Sequence, residues 1–132
     1  MKRACLIFLS IVLAACAPAV TEPLLTPTPG APFVVEPIQI DRVEVLIMES
    51  FPVQVSAHVT GIVGDGCSEL HRVEQTRSGN VVTIIITRQR RLADVCTMIA
   101  QLYDEMLKLE GSFPAGDYTL KVNNVEQTFR ID

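Results

Sequence analysis

The stretch PAGDYTLKVNNVEQTFRID, residues 114–132, gives the clearest indication of the fold. On either side of Asn123-Asn124 the residues alternate as in strands, with Tyr118, Leu120 and Val122 in the first run and Gln127, Phe129 and Ile131 in the second. This period of two is typical of β-strands with one buried face. Because asparagine tolerates the positive φ of a tight turn, Asn123-Asn124 predicts a two-residue connection. The stretch therefore predicts a C-terminal β-hairpin.

Four earlier segments also have the alternation or composition of strands: residues 42–48, 53–60, 69–77 and 81–88. Residues 53–60 alternate between aliphatic and polar side chains, which predicts a strand with one solvated face. Residues 81–87 are apolar on both faces, which predicts a central strand. The connection Ser78-Gly79-Asn80 predicts a hairpin between the last two segments, whereas the glycines of residues 61–67 predict a loop.

Residues 92–109 allow two interpretations. A helical stripe is formed by Leu92, Val95, Cys96, Ile99, Tyr103, Met106 and Leu109, and many residues of the segment are good helix formers. Tyr103, Glu105, Leu107 and Leu109 alternate instead as in a strand. We favour a strand from about Met98 to Leu109, with a turn or a short helical piece within residues 92–103.

The C-terminal hairpin resembles the last two strands of bacterial immunoglobulin-like β-sandwiches. These often end in a Pro-x-Gly-x-Tyr turn, a Val-Asn turn and a Thr-Phe strand, which are present here at residues 114–118, 122–123 and 128–129. The resemblance implies a mainly β fold, an immunoglobulin-like antiparallel β-sandwich of about seven strands, over residues 38–132. It also implies a tyrosine corner, in which the Tyr118 hydroxyl bonds nearby backbone. Because the chain contains no Trp, the likeness is one of architecture and does not extend to the antibody family.

The N-terminus, MKRACLIFLSIVLAAC at residues 1–16, has the layout of an export signal, with basic residues, an apolar run and small residues in order. Its last four residues, Leu-Ala-Ala-Cys, resemble the lipobox of bacterial lipoproteins. The resemblance implies that residues 1–15 are a signal peptide and that Cys16 carries lipid, which holds the protein on the extracytoplasmic face of the cell membrane. An ordinary secretory signal is the alternative. A transmembrane helix needs about 20 apolar residues, and this run is shorter.

Residues 16–37 form a predicted tether. They contain six of the eight prolines of the chain and no Lys or Arg. Proline lacks a backbone donor and fixes φ, so the segment favours a semi-rigid, extended spacer. Phe33, Val34 and Val35 are able to dock on the domain as an edge strand.

The cysteines predict a disulfide. Of the four cysteines, Cys5 lies in the predicted signal, and the lipobox resemblance implies that Cys16 carries lipid. Cys67 and Cys96 are left in an exported protein, where an even pair favours a disulfide bond. Their sequence context does not have the spacing of a zinc site.

Charge and composition exclude several functions. Removal of the signal lowers the net charge from −4 to −6, which disfavours nucleic acid as a partner. The one basic cluster, Arg88, Arg90 and Arg91, is too small for a nucleic-acid footprint. The glycine-rich residues 61–66 lack the lysine of a phosphate-binding loop, and one carboxylate, Asp65, is too few for calcium.

Catalytic residues are difficult to assemble from this sequence. His58 and His71 both fall on strands and are predicted to be solvated. Five carboxylates are candidates, namely Asp65, Glu69, Asp94, Asp104 and Glu105, but the adjacent pair 104–105 would point to opposite faces of a strand. We therefore expect no enzyme activity, no cofactor and no metal site.

The sequence thus predicts a cell-envelope lipoprotein that presents a small β-sandwich as a binding or structural module. Its expected partners are the bilayer, through Cys16, and an envelope protein. The alternative is an inhibitor or accessory subunit of an envelope enzyme that acts through an exposed loop, either residues 61–66 or residues 113–116.

Overall fold

The computed structural model describes residues 32–92 and 95–132. Their strands are β1 (Phe33–Pro37), β2 (Gln39–Met48), β3 (Gln54–Gly64), β4 (Ser68–Ser78), β5 (Val81–Arg91), β6 (Gln101–Lys108), β7 (Gly116–Val122) and β8 (Val125–Ile131). The mainly β fold and the C-terminal hairpin are confirmed. No helix occurs in the described residues. The short helical piece predicted within residues 92–103 is therefore absent from residues 92 and 95–103, the part of that range that the structure describes.

Two sheets pack face to face as a β-sandwich. The first has the order β2-β3-β6, with β3 in the centre. The second contains the other five strands and is built around β5, which pairs with β4 along one edge. On its other edge β5 pairs with β7 over residues 81–84 and with β1 over residues 87–91, so that β1 and β7 lie end to end. β8 follows β7 in an antiparallel hairpin.

The core is formed by the inward-facing positions of both sheets. Val55, Ala57 and Val59 of β3 face Val82, Ile84 and Ile86 of β5, and all six are at most 1% exposed. Burial of an aliphatic side chain of this size stabilises the fold by about 1.5–3 kcal/mol. The predicted alternation of residues 53–60 and the central position of residues 81–87 are therefore confirmed, although Ile85 on the outer face of β5 is partly exposed.

The sequence led us to expect an antiparallel sandwich, but one pair of strands departs from this. β5 and β7 are parallel. The chain leaves β5, crosses to the other sheet as β6 and then returns, so β7 runs in the same direction as β5. Parallel neighbours need such a long crossover connection.

The glycine-rich loop predicted at residues 61–67 is wrong for most of its length. β3 continues through Gly61, Ile62 and Val63 to Gly64, and only residues 65–67 form a turn. The reason is a close approach of two backbones. A Cβ at position 61 would lie 2.2 Å from the carbonyl oxygen of Gln39 on β2, so glycine is needed inside the strand and does not end it.

β1 takes in the last five residues of the predicted tether, Phe33–Pro37. They pair with residues 87–91 of β5, which confirms that Phe33, Val34 and Val35 dock as a strand. The ordered domain thus includes residues before Ile38, and Ile38 itself is buried. The signal peptide, Cys16 and the tether up to residue 31 lie outside the described residues. The described residues include no helix with the length and hydropathy of a membrane span.

Candidate interaction surfaces

The predicted disulfide is present at one end of the sandwich. The Sγ atoms of Cys67 and Cys96 are 2.04 Å apart. Cys67 lies in the turn between β3 and β4, and Cys96 lies in the connection between β5 and β6. The bond therefore joins the turn after the central strand of one sheet to the segment that crosses between the sheets. The backbone N–H of Gly66 donates to the Thr97 carbonyl at 3.0 Å and strengthens the same junction.

Asp65 holds the turn beside this disulfide through hydrogen bonds to both of its carboxylate oxygens. Its Oδ1 accepts hydrogen bonds from the Ser68 hydroxyl at 2.9 Å and the Cys67 backbone N–H at 3.2 Å. Its Oδ2 accepts from Arg90 at 2.7 and 3.0 Å. The Arg90 guanidinium is the main reason that the pKa of Asp65 falls to about 2. The carboxylate is committed to structure.

The basic cluster at residues 88–91 is largely neutralised. Arg88 donates to Glu36 Oε1 at 2.5 and 3.1 Å and to the Val63 carbonyl at 2.9 Å. Arg90 pairs with Asp65 as described above. These half-buried pairs attach β1 and the β3–β4 turn to β5. Two of the three predicted basic side chains thus serve the fold, which leaves little charge for a phosphate-rich partner.

Apolar side chains crowd the connection between β5 and β6. Val95 and Met98 are 102% and 92% exposed, and Ile99 and Leu102 are 73% and 77% exposed. Leu92, at the end of β5, is half exposed. We call the described residues 92 and 95–102 the apolar loop. Exposed apolar groups that cluster in this way mark interaction sites more often than scattered ones do.

His58 lies between two carboxylates on the outer face of the three-stranded sheet. Its Nε2 is 2.6 Å from Asp104 Oδ1, and its Nδ1 is 3.6 Å from Glu44 Oε2. The hydrogen bond to Asp104 is the largest cause of a raised His58 pKa. The alternation of β3 placed His58 on the solvated face, as predicted. Its partners were missed because they come from β2 and β6, and the register of those strands is a long-range property.

The other candidate residues are dispersed. His71 is exposed on the edge strand β4. Glu69 accepts a hydrogen bond from Gln89 at 3.3 Å. Glu105 lies opposite Val59 and Asp104 opposite Thr60, so their side chains point to opposite faces, as predicted. Asp94 lies outside the described residues. Within the described residues, no group of three or more His, Cys, Asp or Glu side chains is arranged to hold a metal ion.

The opposite end of the sandwich contains the tyrosine corner. The Tyr118 hydroxyl donates to the Pro114 carbonyl at 2.8 Å, as predicted. Tyr118 and Phe129 stack with ring centroids 5.3 Å apart, and the Arg77 guanidinium lies 4.6 Å from the centre of the Phe113 ring. Cation–π contacts of this kind stabilise by about 0.5–1 kcal/mol at exposed sites.

The two loops predicted for an inhibitor are presented only in part, since Gly66, Pro114 and Ala115 are exposed. Residues 61–64 belong to β3, and Phe113 is buried in the aromatic cluster. The prominent side chain at this end is Phe51, which is fully exposed in the β2–β3 connection. It borders a groove of about 340 Å³ that Phe113, Pro114 and Ile131 also line.

Similarity to known proteins agrees with this architecture. Residues 57–131, more than half of the chain, match the family described as the ORF11 beta-sandwich domain. The chain belongs to this family. It is 30% identical over 94 residues to the "Uncharacterized 10.2 kDa protein in HgiCIIM 5'region" of Herpetosiphon aurantiacus, a match that spans 71% of this chain and all of the relative.

The same organism supplies further relatives. The "Uncharacterized 10.2 kDa protein in HgiBIM 5'region" and its counterpart in the HgiEIM 5'region are each 28% identical over 82 residues, which is 62% of this chain and the full length of each relative. No solved structure matches the chain. The family relationship thus assigns the chain to a β-sandwich domain family.

Proposed function

We propose that this protein is a lipid-anchored, non-enzymatic module of the bacterial cell envelope. In this proposal Cys16 carries the lipid, residues 17–31 form the tether, and the β-sandwich is presented on the extracytoplasmic face to an envelope protein. The anchoring is inferred from the Leu-Ala-Ala-Cys sequence at residues 13–16. The binding role is inferred from the apolar side chains that the sandwich exposes on its loops.

The disulfide is the main structural observation that supports an extracytoplasmic location. Cys67 and Cys96, which are 29 residues apart in the chain, form a bond between two connections. Structural disulfides persist in exported proteins and are rare where thiols are kept reduced. The bond therefore supports the export that the N-terminal sequence predicts, by an argument independent of that sequence.

A second candidate function is that of an inhibitor or accessory subunit of an envelope enzyme. The observation that favours it is the fully exposed Phe51 beside the groove at the tyrosine-corner end. An exposed aromatic side chain on a short connection is a typical anchor for a protein partner. This end is remote from the point at which the tether joins the domain, so it would be presented away from the membrane.

Lipidation is tested with a matched pair of cysteine variants. Cys16→Ser should release the protein from the membrane fraction or leave its signal uncleaved, and the intact mass should lose the acyl chains. Cys5→Ser, within the same signal, should behave like the wild-type protein. A wild-type mature protein with an unmodified Cys16 would contradict the proposal.

Partner binding is tested by site-specific photo-crosslinking in intact cells. A crosslinker at Phe51 reports on the groove, and one at the exposed Thr128 of β8 serves as a control. A reproducible envelope protein captured from Phe51 and not from Thr128 supports a binding module. Crosslinks to the cell wall alone, from both positions, would favour a spacer. Envelope enzyme assays with the captured partner distinguish an inhibitor from an accessory subunit.

A further inference from the structure

The apolar loop is fixed to the sandwich. Cys96 is bonded to Cys67, the Gly66 N–H donates to Thr97, and Gln101 Nε2 donates to the Asp65 carbonyl at 3.3 Å. Its exposed side chains are therefore held at the surface by a covalent bond and hydrogen bonds to the β3–β4 turn. Transfer of Val95, Met98 and Ile99 out of water is favourable. A rigid loop that exposes these side chains is therefore suited to a partner that buries them.

The chemistry of this surface is apolar. Between Leu92 and Leu102 the sequence contains one charged residue, Asp94. The neighbouring Arg88 and Arg90 are bonded to Glu36 and Asp65. Arg91, the residue before Leu92, is exposed, but the loop presents five exposed apolar side chains, and these suit a hydrocarbon boundary.

The tether joins the domain at this same end. Phe33, the first residue of β1, pairs with Arg91, the last residue of β5. The backbone N–H of Leu92 donates to the Pro32 carbonyl at 3.2 Å. The apolar loop thus begins where residues 1–31 attach. Phe51, which is also fully exposed, belongs to the turn between β2 and β3 at the opposite end.

We propose that the apolar loop is a second membrane contact, which inserts Val95, Met98 and Ile99 into the interface of the bilayer to which Cys16 is anchored. The proposal rests on the lipid anchor proposed above, because the anchor determines that the tether end faces the bilayer. Residues 17–31 would reach at most about 50 Å when extended, and a bilayer contact would hold the domain close with this end down. Apolar side chains on a rigid element bind a membrane surface in proportion to the area that they bury.

The contact is measured without the lipid. The mature chain from residue 16 with Cys16→Ser, exported behind a cleavable signal, is mixed with vesicles of phosphatidylcholine, with or without phosphatidylglycerol, and sedimented. The wild-type loop should partition onto both kinds of vesicle, and high salt should not release it. Val95→Asp and Ile99→Asp should each lower the partition coefficient by about tenfold. Phe51→Asp is the matched control and should leave it unchanged.

The outcomes separate the two proposals. All variants should keep the disulfide and the thermal midpoint of the parent, because positions 95 and 51 are fully exposed and position 99 is mostly exposed. Absence of vesicle binding by the parent chain would overturn the loop contact. So would binding that needs phosphatidylglycerol and is lost in salt, or an equal loss with Phe51→Asp. If the Cys16→Ser chain binds vesicles but the native protein has no lipid on Cys16, the proposed loop contact stands and the proposed lipid anchor is wrong.

Discussion

Asn123, at the end of β7, bonds both β5 and Ile38, the residue that follows β1. Its side-chain amide donates to the carbonyls of Ile38 and Ile86 at 2.8 and 3.0 Å, and its Oδ1 accepts the Ile86 N–H at 2.9 Å. Ile86 lies between the part of β5 that pairs with β7 and the part that pairs with β1. The side chain thus bonds the Ile86 N–H and the Ile38 carbonyl at this gap, and it shares the Ile86 carbonyl with the Ile38 N–H, which donates at 3.0 Å.

Loss of these bonds should be costly. Asn123→Gly keeps a residue that accepts the observed φ of 49° but removes three hydrogen bonds, so we expect the free energy of unfolding to fall by about 2–3 kcal/mol. Asn123→Asp should be at least as destabilising, because an oxygen would face the Ile38 and Ile86 carbonyls. The measurement is urea denaturation, with Asn124→Gly in the same turn as the control. Equal effects at the two positions would show that only the turn matters.

Tyr103 presents the opposite situation, a buried polar group with nothing to bond. The residue is 4% exposed, and its hydroxyl has no hydrogen-bond partner among the described residues. Burial and the Glu105 carboxylate together raise the pKa of this hydroxyl. Tyr103→Phe removes the unpaired group and keeps the ring. We expect a free energy of unfolding that is unchanged or higher by about 1 kcal/mol. A clear loss of stability would mean that a bridging water satisfies the hydroxyl.

At the scale of the strand, Gly61 permits β2 and β3 to approach each other where the ladder is irregular. The pairing shifts between Ile40 and Arg42, directly across from Gly61. Because a Cβ at residue 61 would meet the Gln39 carbonyl, Gly61→Ala should force the backbones apart and cost about 2–3 kcal/mol. Gly79→Asn is the control, since its Cβ would meet nothing within 4 Å and asparagine accepts a positive φ. Thermal unfolding of the two variants should differ accordingly.

The outer face of the three-stranded sheet should respond to pH through His58. The pKa of His58 is raised above its usual value of 6.5 in the folded protein, so the folded state favours the protonated ring. The stability that the Asp104 contact contributes is therefore complete below about pH 6.5 and is lost as the pH rises through the folded pKa. His58→Gln should reduce stability more at pH 5.5 than at pH 8.5. Equal losses of stability at the two pH values would contradict this account.

At the scale of the whole molecule, local patterns in the sequence were enough to predict much of the sandwich. Alternation marked β3, β7 and β8, and the Pro114–Tyr118 turn predicted the tyrosine corner. Compartment and cysteine parity predicted the Cys67–Cys96 bond. Each of these signals lies within a short segment or in a count of residues, so no knowledge of strand order was needed.

The features that were missed all depend on strand order and register. The parallel pairing of β5 and β7 follows from the crossover through β6. The His58–Asp104 contact needs the register between β3 and β6, and the role of Gly61 needs the position of Gln39 on β2. Asn123 looked like a turn residue because its bonding partners are 37 and 85 residues away in the chain. Contacts of this kind carry no local sequence signal.

The disulfide should contribute to the stability of the whole domain because it joins two connections that each run from one sheet to the other. Cross-linking residues 29 apart restricts the unfolded chain and stabilises the folded state by about 3–4 kcal/mol. The double variant Cys67→Ser with Cys96→Ser should therefore unfold at a lower urea concentration. Reductant should bring the wild-type protein to the same midpoint and leave the variant unaffected.

Hydrogen exchange should also accelerate at Gly66 and in the apolar loop when the disulfide is absent, since the bond fixes Thr97 against the β3–β4 turn. If oxidised and reduced proteins unfold at one midpoint while exchange in the loop rises, the bond serves to display the loop and not to stabilise the domain.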